Sequence, residues 1–338
     1  MIGATGYGGR ELIRILSRHP EVEITSLTAK LDNPVSISEV FPYLRGKIDL
    51  TCYPFEETAD ILPRVDVIFL ALPHRVSMEI APDFLAQGKK VIDLSADFRL
   101  KEPKVYEAWY KVTHQAHHLL EEAVYGLPEL YKEKIKTAWL IANPGCYPTS
   151  IILALAPLVR EGQDLVELND IIIDSKTGVS GAGRSPSMTA HFPEINEDML
   201  AYKVAGHQHT PEIEQELSNL AGRAINITFT PHLIPITAGI LSTGYLRLQK
   251  NNSWEEVSLL YQDFYSGQPF IRLLPEGTYP RVKNVVGTNY CEIGWQIDKR
   301  TSRLIVLSAI DNLIKGASGQ AVQNMNLMFG FDEETGFK

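Results

Sequence analysis

Apolar and polar positions along the chain follow two textures, which change near residue 150. In the first, residues 11–17 set Leu12, Ile13, Ile15 and Leu16 among charged residues, the spacing of an amphipathic helix. Residues 22–28 read as a strand. Residues 65–72 (VDVIFLAL) form a near-continuous apolar run, the pattern of a strand buried on both faces. A helix follows at 77–87, and further buried strands at 90–94 and 139–142. Strands separated by helices at this pitch mean βαβ units and a parallel sheet. The second texture opens with an apolar helix at 150–159. Residues 171–174, 226–230, 239–248, 291–297 and 303–310 then read as strands, the last two joined as a hairpin by the polar turn 298–302. That pattern predicts a mixed or antiparallel sheet. The tail 313–328 reads as a helix capped by Asp311 or Asn312, able to pack back on the first part.

At 338 residues the chain exceeds the size at which single cores stop growing, so two domains are expected. The textures put them at 1–147, completed by 313–338, and at 148–312. The net charge of −9, without a Lys/Arg run, gives no reason to expect nucleic acid or an anionic membrane as partner. Three irregularly spaced cysteines, Cys52, Cys146 and Cys291, argue against a disulfide framework and for a reducing compartment. No apolar run approaches the roughly 18 residues that span a bilayer. A glycine-rich loop beginning almost at Met1 leaves no signal peptide, so the cytoplasm is expected.

That loop, Gly3-Ala4-Thr5-Gly6-Tyr7-Gly8-Gly9, opens the first helix as G-x-x-G-x-x-G. Glycines permit the tight turn and let backbone approach a pyrophosphate, while the helix start offers N–H groups and the positive end of its dipole. With a second strand ending about 20 residues later, this is the dinucleotide site of a Rossmann-type, doubly wound α/β sheet. An acidic residue at that strand's end would bind the ribose hydroxyls of NAD. Here the strand ends Thr28-Ala29-Lys30, and a hydroxyl with a lysine suits a 2′-phosphate, so NADP is favoured. One feature is anomalous: only Met1 and Ile2 precede the loop where a full central strand belongs.

Asn143-Pro144-Gly145-Cys146-Tyr147-Pro148-Thr149 lies between a buried strand and an apolar helix, so Cys146 occupies a strand-to-helix elbow. A helix N-terminus favours the thiolate, which is the nucleophilic form. Cys52 and Cys291 have no such setting and read as small buried hydrophobes. Gly206-His207-Gln208-His209-Thr210-Pro211 offers Thr210 as a cap with Pro211 in the first turn, and either His207 or His209 as an acid/base beside a reaction centre. A metal is not expected, since no further ligand cluster joins them. The glycine-containing stretch 175–184 carries Lys176 and Arg184 and reads as an anion-accepting loop. Arg99 follows a parallel strand at its carboxyl end, where ligands of doubly wound sheets bind.

Together these blocks resemble the N-acetyl-gamma-glutamyl-phosphate reductase family, the arginine-pathway branch of the aspartate-semialdehyde dehydrogenase superfamily. GATGYGG, FLALPHRVS, DLSADFRL, YGLPEL, NPGCYPT, GVSGAGR, GHQHTPEIEQ, FTPHLIP and AIDNLIKGASGQAVQNMNLMFG carry the likeness over nearly the whole length. The resemblance implies a catalytic and dimerisation domain of α+β type after the dinucleotide domain, and a homodimer or homotetramer built on its sheet. It implies NADPH on Gly3, Thr5, Gly6, Tyr7, Gly8 and Gly9, with Thr28 and Lys30. Pro73 and His74 would lie toward the nicotinamide end, joined by Ser180, Gly181 and Asn312. It makes Cys146 the nucleophile and favours His207 over His209 as acid/base, and it gives Arg99 and Asn143 to the acyl phosphate, with Lys176 and Arg184 beside them. The implied reaction reduces N-acetyl-L-glutamyl 5-phosphate to the 5-semialdehyde through a cysteine thioacyl intermediate. Alternatives are the same chemistry on aspartyl or aminoadipyl phosphate and, more remotely, a non-catalytic dinucleotide sensor. The chain departs from the family in its short first strand and in Ala238, which stands where the family usually carries an arginine.

Overall fold

The computed structural model describes residues 1–55, 64–250 and 252–338. The chain divides into two compact units, Met1–Gly145 with Ala317–Lys338, and Cys146–Gly316.

The first unit runs α1 (Tyr7–Leu16), β1 (Leu27–Ala29), β2 (Val35–Ser36), α2 (Ile37–Val40), β3 (Thr51–Pro54), β4 (Val67–Leu70), α3 (Ser77–Ala86), β5 (Lys90–Asp93), α4 (Pro103–Tyr110), β6 (Val124–Tyr125), α5 (Pro128–Lys136) and β7 (Leu140–Ala142). Its strands lie in the orders β2-β3-β1 and β4-β5-β7-β6, parallel except for β2. Ile2 joins the two sets, bridging Thr28 of β1 on one side and Leu70 of β4 on the other. This is a doubly wound sheet whose order reverses at Ile2, and the glycine loop leaves from that switch point, where such sheets bind ligands.

The anomalous first strand is thus filled by a minimal piece of chain. Ile2 N donates to Phe69 O and Ile2 O accepts from Ala71 N, both at 2.9 Å, while Gly3 N donates to Thr28 O at 2.8 Å. Ile2 is 2% exposed. The expected strand over 22–28 is corrected to Leu27–Ala29. β3 registers only with residues 27–29, and Ile2 meets Thr28, so residues 22–26 have no ladder to join. The first helix starts at Tyr7 rather than at Glu11, because Gly8 and Gly9, poor helix formers by composition, are drawn into its first turn by the loop.

The second unit begins with α6 (Cys146–Arg160), which starts on the cysteine itself, four residues earlier than the apolar run suggested. Pro148 is tolerated because N–H groups of a first turn lack helical acceptors anyway. Every residue from 147 to 159 is buried, so the helix is enclosed. There follow β8 (Val166–Thr177), α7 (Phe192–Ile195), β9 (Leu200–Ala201), α8 (Thr210–Ala221), β10 (Ile227–Leu233), β11 (Ile240–Leu248), α9 (Trp254–Phe264), β12 (Ile271–Leu273), α10 (Val282–Val285), β13 (Cys291–Asp298) and β14 (Arg303–Ile310). They make one mixed sheet, ordered β12-β13-β14-β11-β8-β10-β9, with the expected β13–β14 hairpin antiparallel. α6 packs on β11 and β14 and against α8 and α9.

After β14 the expected single helix is divided. A π-helical turn, Ile314–Ser318, precedes α11 (Gly319–Phe329). Asp311 is the cap: its Oδ1 accepts from Leu313 N at 2.8 Å and from Ile314 N at 3.2 Å. α11 closes the first unit. Ser318 Oγ donates to Gly8 O at 2.8 Å, and the side chains of Gln320 and Asn324 donate to Gly126 O at 3.0 and 2.8 Å. Among the described residues no helix is long and apolar enough to cross a membrane.

Candidate active site

The glycine loop divides its labour among its glycines. Gly3 has φ +88°, and a Cβ there would lie 2.2 Å from Ala71 O. A Cβ on Gly9 would lie 2.6 Å from both Ala4 O and Gly3 O. Both are therefore held by the protein's own packing, one for the turn and one for helix-on-loop contact. Gly6, by contrast, has φ −77° and meets nothing nearer than Gly3 O at 3.6 Å. It is the N-cap of α1 and makes no side-chain cap, so the helix start is presented for an anion. These features fit a dinucleotide pyrophosphate. Thr5, Tyr7 and Gly8 are half-buried along the same loop.

Thr28 is placed otherwise than expected. It is fully buried, and it holds the loop through its carbonyl, which accepts from Gly3 N and Ala4 N. Its hydroxyl is buried and finds no partner among the described residues, so it is not offered to a ribose. Lys30, one turn of chain further, is exposed.

Pro73 and His74 lie exposed after β4. Ala96 N donates to His74 Nδ1 at 3.0 Å, so the neutral ring carries its proton on Nε2, and the ring stands edge-on to Tyr110 at 5.3 Å. The next residue, Arg75, has φ +81°, an uncommon conformation for a side chain of that size. It is pinned by Asp97, whose Oδ1 accepts from Arg75 N and from Tyr106 OH, each at 2.7 Å, and whose Oδ2 accepts from Met78 N at 3.0 Å. Sequence reasoning missed this network, because its members are spread over 30 residues.

Arg99 and Asn143 are both buried and bonded inward. Arg99 Nε donates to Asn143 O at 2.7 Å and its Nη2 to Leu94 O at 2.8 Å. Asn143 Nδ2 donates to Ala317 O at 3.0 Å, and its Oδ1 accepts from Asn324 Nδ2 at 3.1 Å. These bonds fix the loop that leads into Cys146, a positioning task that the sequence pattern did not reveal.

In the second unit Cys146 is half-buried at the first position of α6, whereas Cys52 and Cys291 are fully buried. Burial pushes the Cys52 thiol up to about 11. Tyr147, beside the half-buried cysteine, stands edge-on to His207 at 5.3 Å and to His209 at 6.0 Å. Its hydroxyl lies 3.1 Å from that of Tyr202. His207 is further enclosed by Tyr202 at 5.5 Å and Phe229 at 5.6 Å. His209 N donates to His207 Nδ1 at 3.1 Å, so the neutral His207 ring is an Nε2–H donor. Burial, aided by the positive Lys203, holds its pKa down to about 3. His209 is half-buried. The cap expected of Thr210 is corrected: Thr210 is the first helical residue, His209 holds the N-cap position, and the amide before the helix is taken by the His207 ring instead. The aromatic members Tyr147, Tyr202 and Phe229 were missed, although Tyr147 adjoins Cys146.

Lys176 lies on β8 in an ion pair with Asp174 Oδ1, and Arg184 is exposed. Ser180 is buried and Gly181 exposed. Asn312 uses both ends of its amide within the protein. Its Oδ1 accepts from Gly239 N at 2.6 Å and its Nδ2 donates to Ser180 Oγ at 3.1 Å. It thereby ties the 178–182 turn to the segment containing half-buried Ala238.

Residues 1–138 match the family model for the semialdehyde dehydrogenase NAD binding domain, and residues 146–312 that for the semialdehyde dehydrogenase dimerisation domain. The chain is 54% identical over 336 residues to the N-acetyl-gamma-glutamyl-phosphate reductase of Pelotomaculum thermopropionicum, covering 99% of this chain and 96% of that one. It is 53% identical to the protein so named in Desulfotalea psychrophila, covering 100% and 97%. In fold it is similar to aspartate semialdehyde dehydrogenase II of Vibrio cholerae, with a TM-score of 0.73 at 18% identity and 97% of each chain covered.

Proposed function

The chain belongs to the N-acetyl-gamma-glutamyl-phosphate reductase family of semialdehyde dehydrogenases, and on that premise we propose that it reduces N-acetyl-L-glutamyl 5-phosphate to N-acetyl-L-glutamate 5-semialdehyde in arginine biosynthesis. What carries the reading is Cys146 as a half-buried first residue of α6, its neighbour Tyr147 packed on both histidines. The positive end of the helix favours an anion at that position.

The thiolate adds to the acyl carbon of the substrate, a C–S bond forms, and the C–O bond to phosphate breaks. A reduced nicotinamide dinucleotide held at the glycine loop and the start of α1 would supply the hydride that the thioester carbonyl carbon takes up. The C–S bond then breaks, Cys146 regains its electron pair, and the aldehyde leaves. Splitting the reaction through a thioester replaces one difficult step with two easier ones. His207 is the acid/base favoured by the resemblance, but burial keeps its ring neutral, so it serves as an Nε2–H donor that stabilises developing negative charge while half-buried His209 exchanges the proton. Arg99 and Asn143 hold the entry to α6 in place. The uncapped start of α1 would hold the pyrophosphate, and exposed Lys30 favours the 2′-phosphate of NADP over NAD.

The enzyme acts as a homo-oligomer through the open face of the second-unit sheet. On the side away from α6, Ile172 pairs with Tyr245 and Tyr245 with Ile305, an apolar row in which Ile172 is 38% exposed. Such a row is suited to a second copy of the chain.

The test is purified protein with NADPH and the acetylglutamyl or aspartyl phosphate, or the semialdehyde with phosphate in reverse. Turnover is expected on the acetylglutamyl compound and lost in Cys146→Ser, which keeps dinucleotide binding. Turnover by Cys146→Ser would remove the nucleophile, and faster reduction of aspartyl phosphate would change the substrate.

A further inference from the structure

We propose that Gly316 is a positioning residue for the nucleophile: by having no side chain it lets the π-turn lie directly against Cys146 and so fixes where the sulfur points. The proposal rests on Cys146 being the nucleophile.

A Cβ on Gly316 would lie 2.7 Å from Cys146 Cβ, 3.1 Å from Cys146 Cα and 3.3 Å from Ile310 Cδ1. The backbone at 316 is not in the left-handed region, so any residue could adopt it. What forbids a side chain there is contact alone, and the contact is with the two atoms that carry the thiol.

Neither wall of this contact yields readily. On one side Gly316 N donates to Asp311 O at 2.9 Å, the long-period bond of the π-turn. Asp311 is 3% exposed, caps Leu313 and Ile314, and accepts from Gly287 N at 2.8 Å through Oδ2. It follows directly on β14, whose last residue, Ile310, is paired with Ile240. On the other side α6 is anchored one turn beyond the cysteine. Ser150 Oγ donates to Ser242 Oγ at 3.0 Å and lies 2.7 Å from Ser308 Oγ, which itself donates to Ser150 O at 2.9 Å. A methyl group at 316 therefore acts on the least anchored part of the contact, Cys146, the first residue of α6, which precedes the Ser150 contacts by one turn. π-turns inside helices are frequent at functional sites, where they place one residue out of regular register. Displacements well below 1 Å matter at a reacting atom, and a 1 Å error costs about 100-fold in rate.

The experiment compares Gly316→Ala, Cys146→Ser and the double variant Cys146→Gly/Gly316→Ala with the unaltered enzyme. For Gly316→Ala, kcat with the acetylglutamyl phosphate and NADPH is expected to fall about 10- to 100-fold, with KM within roughly threefold. The rate of iodoacetamide labelling against pH is also expected to change. That labelling reports position 146, because the other two cysteines are fully buried. A simple loss of stability would not alter the labelling profile of folded enzyme. Unchanged kcat and labelling in Gly316→Ala, with Cys146→Ser inactive, overturn the positioning role and leave the nucleophile standing. An active Cys146→Ser overturns the nucleophile itself. Should Gly316→Ala fail to fold, the double variant, which removes the opposing Cβ, is expected to fold and bind dinucleotide. A double variant no more stable than the single one overturns the contact.

Discussion

His207 carries a consequence for pH. Its folded pKa is held down by burial, whereas an unfolded chain protonates the same ring near its ordinary value of about 6.5. Between those values the unfolded state binds more protons, so stability is full above about pH 6.5 and is lost as pH falls toward about 3. His207→Gln is expected to show a shallower loss of denaturation midpoint over that window, by a few kcal/mol at its acid end. Parallel curves would show that the ring is not buried as described. Lys30 gives a second test: Lys30→Met is expected to weaken NADPH by about 10-fold while changing NADH by less than about threefold, as one lost charge contact implies. At this scale the sequence was legible where chemistry is local. The thiol at a helix start and the paired histidines are adjacent in the chain. Arg99, Asn143 and Asn312 were picked out as important, but that their polar atoms turn inward depends on partners up to 181 positions away.

Among the elements, the loop and helix that begin the chain were legible because glycine spacing encodes them directly. Gly3→Ala is expected to cost roughly 2–5 kcal/mol, adding an unfavourable φ to a collision with Ala71 O, and to abolish dinucleotide binding. A folded variant that binds normally would refute the division of labour drawn for the loop. β1 proved shorter than its alternation suggested, because a strand's length is set by its partners rather than by its own pattern. The serine cluster beneath α6 was invisible for a related reason. Ser150, Ser175, Ser242 and Ser308 sit on four different elements, and each is unremarkable in its own window. Ser308→Ala removes the hydroxyl that donates to Ser150 O, while Ser150 Oγ keeps its bond to Ser242 Oγ, and is expected to lower stability by roughly 1 kcal/mol, read from denaturant midpoints.

For the whole molecule, the proposed assembly runs through the sheet face bearing Ile172. Ile172→Asp is expected to halve the mass seen by light scattering or sedimentation, and an unchanged mass would move the interface elsewhere. The change of texture and the length predict two domains, at 1–147 with 313–338 and at 148–312; the chain divides into two compact units, Met1–Gly145 with Ala317–Lys338 and Cys146–Gly316. What the texture could not give is how the tail is used, since α11 supplies side chains to Gly126 O and Asn143 Oδ1 that no local signal announces. That arrangement orders events during synthesis. The segment Cys146–Gly316 is one uninterrupted stretch, whereas Ala317–Lys338 must rejoin residues 1–145, made before that stretch. On a ribosome the later-made unit has all its chain before the earlier one does. The nascent glycine loop therefore waits, lacking Ser318 against Gly8, until residues 317–338 have been made.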